Sequence, residues 1–195
     1  MESTVRLIVG LGNPGKEYEA TRHNAGFWFV DRLNQEYQGT WSNESRFQSQ
    51  VSTVRINQQD IWLLKPYTFM NASGRAVSLF TQFYRIDPSD VLVVHDELDL
   101  SAGEVKFKFG GGSAGHNGLK DITRALSKPE YWRLRVGIGH PGERHKVADY
   151  VLNRATKIES EQIDEALNKA QQVIPEFLSG SKEQVMKLLH SKGGK

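Results

Sequence analysis

Residues 5–26 read VRLIVGLGNPGKEYEATRHNAG, and the order of features inside this stretch decides the fold. A short apolar run, Leu7-Ile8-Val9, is closed by a glycine turn and predicts a buried strand. Gly10, Gly12 and Gly15 allow backbone conformations closed to other residues, and Pro14 stiffens the turn. A mostly polar segment follows and ends in Thr21-Arg22-His23-Asn24. Helical periodicity begins only afterwards, with Phe27, Val30, Leu33 and Tyr37 on one face and Gly39 as its stop. A histidine therefore stands past the end of a strand, on a loop running into a helix, where open α/β sheets build their sites. Two readings of His23 stay open on position alone. One is a capping or solvent-facing residue at a helix start; the other is a functional side chain on a loop held by rigid elements.

Outward from this stretch, residues 47–56 and 60–65 read as two strands of a hairpin turning across Asn57-Gln58-Gln59, with Pro66 as its stop. A loop through Asn71 leads into an amphipathic helix marked by Ala76, Val77, Phe80, Phe83 and Tyr84, which Pro88 is expected to end. Val91-Leu92-Val93-Val94 is the apolar run of a central strand covered on both faces, emptying into His95-Asp96-Glu97-Leu98-Asp99. Val105, Phe107 and Phe109 alternate with Lys106 and Lys108, and Trp132, Leu134, Val136 and Ile138 alternate with Arg133 and Arg135. Both patterns predict strands with one buried and one basic face. Between them lie a glycine-rich turn, residues 110–118, and a helix through Leu119, Ile122 and Leu126. A last helix carries the stripe Ile163, Leu167, Ala170, Ile174 and Phe177, with Pro175 expected to kink or end it. Ser181 and Gln184 suggest a capping box for a short final helix, and residues 190–195 a mobile tail. The expectation is a single α/β domain with a twisted mixed β-sheet flanked by helices.

Composition narrows the chemistry. The chain has 195 residues, enough for one good core, and 38% of them are hydrophobic. No apolar run approaches a membrane span, and the N-terminus has no cleavage pattern, so no membrane attachment and a cytoplasmic location are expected. Zero cysteines exclude disulfides and thiol nucleophiles. A net charge of +2 is compatible with a polyanionic partner without requiring one.

Several motifs compete. Gly10-Leu11-Gly12-Asn13-Pro14-Gly15 matches a dinucleotide fingerprint, but that motif needs the helix to open at its glycines, and here the helix comes later. Gly111-Gly112-Ser113-Ala114-Gly115 matches a nucleophile elbow, with Asp149 and His190 as available partners; a glycine-rich turn explains Ser113 without a nucleophile and is the favoured reading. His140, His145 and Asp149 have no diagnostic ligand spacing, so no metal is expected. Asp96 follows the most buried strand, where it either braces a loop or holds a histidine in one tautomer and stabilises its protonated form. If the strands before His23 and Asp96 are parallel neighbours, the two meet and the histidine activates water as a general base. Asn13, Asn71 and Asn117 each stand at a strand end or a helix start, suited either to capping or to holding a carbonyl or a water.

Laid side by side, these segments strongly resemble bacterial-type peptidyl-tRNA hydrolases. The resemblance runs through residues 7–15, 21–26, Lys65-Pro66 with 68–74, 95–99, 115–119 and 135–142, in the family's order. It implies a usually monomeric, cofactor-free enzyme that cleaves the ester joining a peptide to the terminal ribose of tRNA. It further implies His23 as proton acceptor, Asp96 as the group stabilising its working form, and Asn13 as the residue distinguishing blocked from free aminoacyl ends. Tyr18, Phe69, Asn71 and Asn117 are implied to contact the peptide and the 3′ end. Lys106, Lys108, Arg133 and Arg135 are the residues a basic strand face offers to RNA phosphates.

Overall fold

β1 (Leu7–Gly10) lies between two parallel partners, β4 (Gln59–Pro66) and β5 (Val91–Glu97), in a computed structural model that describes residues 4–190. Beyond β4 the sheet turns antiparallel through β3 (Ser49–Ile56) and the short edge strand β2 (Ser42–Glu44). Beyond β5 come β7 (Trp132–Gly137), parallel, and β6 (Val105–Phe109), antiparallel at the other edge. The seven-stranded mixed sheet thus runs β2-β3-β4-β1-β5-β7-β6.

Helices cover both faces, and the alternation of the central strands sorts the core between them. Ile8, Leu92 and Val94 face α1 (Ala25–Glu36) and α5 (Lys157–Leu178), meeting Phe29, Leu33, Leu167 and Phe177. Val185 of α6 (Lys182–His190) closes this layer, and α4 (Val147–Val151) adds Val151. Leu7, Val9 and Val93 face the opposite layer, Val77 and Phe80 of α2 (Ser73–Tyr84) with Leu119 and Ile122 of α3 (Asn117–Leu126).

The expected elements are present, with shifts that have local causes. β5 continues through His95 and Asp96 to Glu97 because β7 supplies hydrogen-bonding partners that far, Asp96 standing opposite Val136. α2 stops at Tyr84 with Arg85 left-handed at φ 54°, before Pro88 can act. α5 runs through Pro175 to Leu178, and the carbonyl of Pro175 accepts from Asn57 Nδ2 at 2.7 Å. A capping box forms at the head of α5, from Thr156 and Glu159. Residues 191–195 of the expected tail lie outside the described residues, whereas His190 ends α6 and its Nε2 accepts from the Phe107 amide at 3.0 Å.

The glycines of the opening stretch act differently from expectation. Only Gly15 has a positive φ, 105°. Gly10 instead permits contact, since a Cβ there would lie 2.4 Å from the Gly26 carbonyl oxygen. Gly26 is tighter still, its virtual Cβ 2.3 Å from Val94 O and 2.4 Å from Leu11 N. The start of α1 is thereby seated on the ends of β1 and β5, and it opens only at Ala25, too late for a dinucleotide motif. Gly26→Ala should therefore destabilise the protein by about 3 kcal/mol, because both obstructing atoms are backbone. Gly112→Ala, whose Cβ meets nothing within 4 Å, should stay within about 0.5 kcal/mol of the parent; urea unfolding midpoints of the two variants check the contrast.

Candidate active site

Seating α1 so close to the sheet carries the turn Arg22–Asn24 over the end of β5. His23 Nδ1 lies 2.9 Å from Asp96 Oδ2, so the two parallel neighbours bring together the pair expected from sequence. A second histidine completes the cluster: His116 Nε2 lies 2.8 Å from Asp96 Oδ1. The carboxylate side chain is only 2% exposed and that of His23 12%.

Protonation follows from the partners. Burial alone would push the Asp96 carboxyl up, but His23 and His116, by charge and hydrogen bonds, hold it well below the usual carboxylate range. An ionised carboxylate only accepts, so His23 Nδ1 and His116 Nε2 each carry the hydrogen. The rest of His116 agrees: its Nδ1 accepts from the amides of Gly118 and Leu119, capping α3, which requires that nitrogen to be bare. For His23 the bare nitrogen is Nε2. Its burial favours the neutral ring, yet the charge and hydrogen bond of Asp96 outweigh this and raise its pKa above the ordinary value of 6.5. The three side chains offer ligand atoms within 4.8 Å of one another, a disposition that a metal centre shares.

Asn13 is buried beside this cluster and held by a reciprocal arrangement. Its amide N–H donates to Asn24 Oδ1 at 2.8 Å, while Asn24 Nδ2 donates to the Asn13 carbonyl at 3.0 Å. Asn13 Oδ1 accepts from the Met70 amide at 2.7 Å, leaving the side-chain NH2 as the free end. The three asparagines belong to touching segments: Asn71 follows Met70, and Asn117 precedes Gly118, where a Cβ would meet the Met70 sulfur at 2.6 Å. Asn71 and Asn117 are exposed, and Asn71 lines a shallow surface groove with Arg75 and Asp121. Tyr18 and Phe69 meet edge to face at 6.1 Å and form an aromatic lip, Phe69 being 58% exposed.

The basic strand faces need correction. Arg133 is 2% exposed, its side chain turned under the glycine loop, where it donates to the carbonyls of Gly112, at 2.5 Å, and Gly111, at 2.8 Å. Alternation predicted its face correctly, but that face is roofed by the loop and α3 rather than by water. Arg135 Nε pairs with Glu97 at 2.9 Å, so it is not a free cation. Lys108 is exposed and Lys106 half-buried. Ser113 precedes α3 by several residues on a loop leaving an edge strand, and His190, its would-be base, is occupied by the Phe107 amide.

His116 was missed from sequence because a histidine in a glycine-rich turn carries no periodicity, and because histidine is not among the usual capping residues. Arg22 was missed as well. Buried to 6%, it donates to the Tyr150 carbonyl at 2.8 Å, pairs with Glu159 at 3.2 Å and stacks on the Tyr150 ring at 3.7 Å, fastening the His23 turn to α4 and α5.

Such a site suits hydrolysis by an activated water. A neutral His23 is needed to take a proton, so activity should rise with pH through its raised pKa. Asp96→Asn removes the anion that favours the imidazolium; the rising limb of kcat/KM should move to lower pH while the plateau falls on the order of a hundredfold. An unmoved limb would detach the titration from this pair.

Comparison with known proteins gives one consistent set. The profile of the family described as peptidyl-tRNA hydrolase matches residues 7–195. A peptidyl-tRNA hydrolase of Neisseria meningitidis serogroup C is 53% identical over 192 residues, covering 98% of this chain and 100% of the relative. One of Bordetella avium is 49% identical over 194 residues, covering 98% and 94%. The crystal structure of peptidyl-tRNA hydrolase from Acinetobacter baumannii superposes with a TM-score of 0.95 at 43% identity, covering 98% of this chain and 97% of that one.

Proposed function

The chain belongs to the peptidyl-tRNA hydrolase family and hydrolyses peptidyl-tRNA to peptide and free tRNA; we propose that it does so with a water activated by His23. The observation that carries this reading is the 2.9 Å bond from His23 Nδ1 to the buried Asp96 carboxylate. It leaves Nε2 bare and outward as the proton acceptor.

In the proposed reaction the water oxygen attacks the ester carbonyl carbon while its proton passes to His23 Nε2. The imidazolium so formed is stabilised by Asp96, whose own position is braced by His116. Collapse of the tetrahedral intermediate breaks the bond to the ribose 3′ oxygen, and His23 returns the proton to that oxygen. The free amide of Asn13 reaches the peptide side of the ester and favours an N-blocked substrate. Asn71 and Asn117, exposed on the adjoining segments, supply uncharged donors for the substrate and the developing oxyanion. Tyr18 and Phe69 give the substrate end an aromatic surface. Lys106 and Lys108, with Arg135 partly offset by Glu97, attract the phosphates, so affinity falls with salt. All of these groups come from one chain, in keeping with a monomer acting in the cytoplasm without a cofactor.

His23→Ala should lose about 10²- to 10⁴-fold in turnover and keep its affinity for tRNA. The check is release of an N-acetylated amino acid from tRNA, measured with and without chelator. Wild-type turnover by the variant would remove the base assignment. Loss of wild-type activity in chelator, restored by a divalent ion, would assign the cluster to a metal instead.

A further inference from the structure

The two histidines on Asp96 are not equivalent. His23 Nδ1–H donates to Oδ2 at 2.9 Å and His116 Nε2–H to Oδ1 at 2.8 Å, with the two rings 5.2 Å apart. They differ at the far nitrogen. His23 Nε2 is bare, whereas the amides of Gly118 and Leu119, at the head of α3, donate into His116 Nδ1 at 3.1 and 3.3 Å. A proton on that nitrogen would meet two N–H groups and uncap the helix, so the ring is held as a fixed donor to Asp96. Two donors on one carboxylate also compete. The His116 bond is strongest while Asp96 is an unopposed anion, and it weakens once His23 is positive, because that cation draws on the same charge. The positive end of the His116 N–H dipole lies close to the same cation. Both effects favour neutral His23. The first turn of α3 adds to them, since amides donating into Nδ1 polarise the ring and strengthen Nε2–H as a donor.

We infer that His116 is a positioning residue that acts through Asp96, drawing off part of the carboxylate's charge so that His23 works as a base instead of standing as an imidazolium. This rests on the function proposed above. A buried Asp96, its side chain 2% exposed, with a single donor would hold a proton on His23 more firmly than a general base near neutrality requires. The other ionisable groups around the cluster are engaged elsewhere. His95, its ring 5.1 Å from that of His116, is kept neutral by burial and donates to the Asp96 carbonyl. Arg22 turns to Tyr150 and Glu159, Arg133 to the glycine loop and Arg135 to Glu97. On α3, Asp121 is held by the Gly74 amide and Arg124, and Lys120 is exposed. Among the described residues, His116 is thus the one ring that shares the side-chain carboxylate with His23.

Two substitutions separate the two ends of the His116 ring. Asparagine puts an amide oxygen where Nδ1 stands and caps α3, but it is too short to donate to Asp96. Glutamine puts an amide N–H where Nε2 stands and donates to Asp96, but it leaves α3 uncapped. Each variant is titrated in two ways: by the Cε1–H resonance of His23, and by kcat/KM on N-acetyl-aminoacyl-tRNA against pH. His116→Asn should move both midpoints up by about one pH unit, opposite in direction to Asp96→Asn. On the acid side of the limb kcat/KM then falls about tenfold more than on the plateau. His116→Gln should move both midpoints by less than half as much. A His23 resonance in His116→Asn that titrates unmoved, or lower, overturns the inference. So does an equal upward shift in His116→Gln, which would trace the effect to the helix cap and not to the bond with Asp96. A resonance that moves up in His116→Asn while the rate limb stays in place supports the action of His116 on Asp96 and overturns the general-base reading instead.

Discussion

One ionised carboxylate organises this protein. Asp96 lies at the buried end of the central strand, and removing such an ion from water costs on the order of several kcal/mol unless its lone pairs are satisfied. Two imidazole N–H groups satisfy them, one on each oxygen. Each histidine comes from a different connection, His23 from the turn before α1 and His116 from the loop before α3. Placing one anion thus fixes where two loops must end, although the site is built on irregular segments. The same two bonds determine the tautomer of each ring, and so decide which nitrogen is available for chemistry.

Around that anion, backbone geometry does most of the positioning. Gly10 and Gly26 let α1 approach the sheet until carbonyl and amide groups nearly touch, closer than any side chain permits. Arg133 does the corresponding work across the site: a buried guanidinium gathers the carbonyls of a glycine loop that has few contacts of its own and leads directly to His116. His95, next to Asp96 in sequence, points to the other face of the sheet; burial, and then the nearby His116 and Arg133, bring its pKa down to about 3, so it stays neutral and donates Nδ1–H to the Asp96 carbonyl. A second charge beside Asp96 is thereby avoided.

Much of this was legible beforehand. Apolar runs and alternation located six of the strands, because burial on a sheet imposes a period that residues 7–9, 91–94, 105–109 and 132–138 display. The His23–Asp96 pair was legible as a condition: the two meet if the strands before them are parallel neighbours, and β1 and β5 are. What escaped had no period to betray it. β2 is three exposed polar residues held only by pairing with β3. His116 caps a helix with a side chain rarely used for that purpose. The burial of Arg133 depends on which loop covers its face, and the occupation of His190 on a contact between α6 and β6, both long-range facts outside any local pattern.

The fastening of the His23 turn by Arg22 has a temporal side. Arg22 and its partner Glu159 are separated by 137 positions in the chain, and Thr21 bridges to Arg154 across a similar gap. During synthesis His23 emerges among the first residues, while the groups that tether it, and the β7 partner of Asp96, leave the ribosome long afterwards. Until then the histidine rides an untethered loop and its carboxylate sits on an unpaired strand edge. The cluster is therefore completed late, as the C-terminal third emerges.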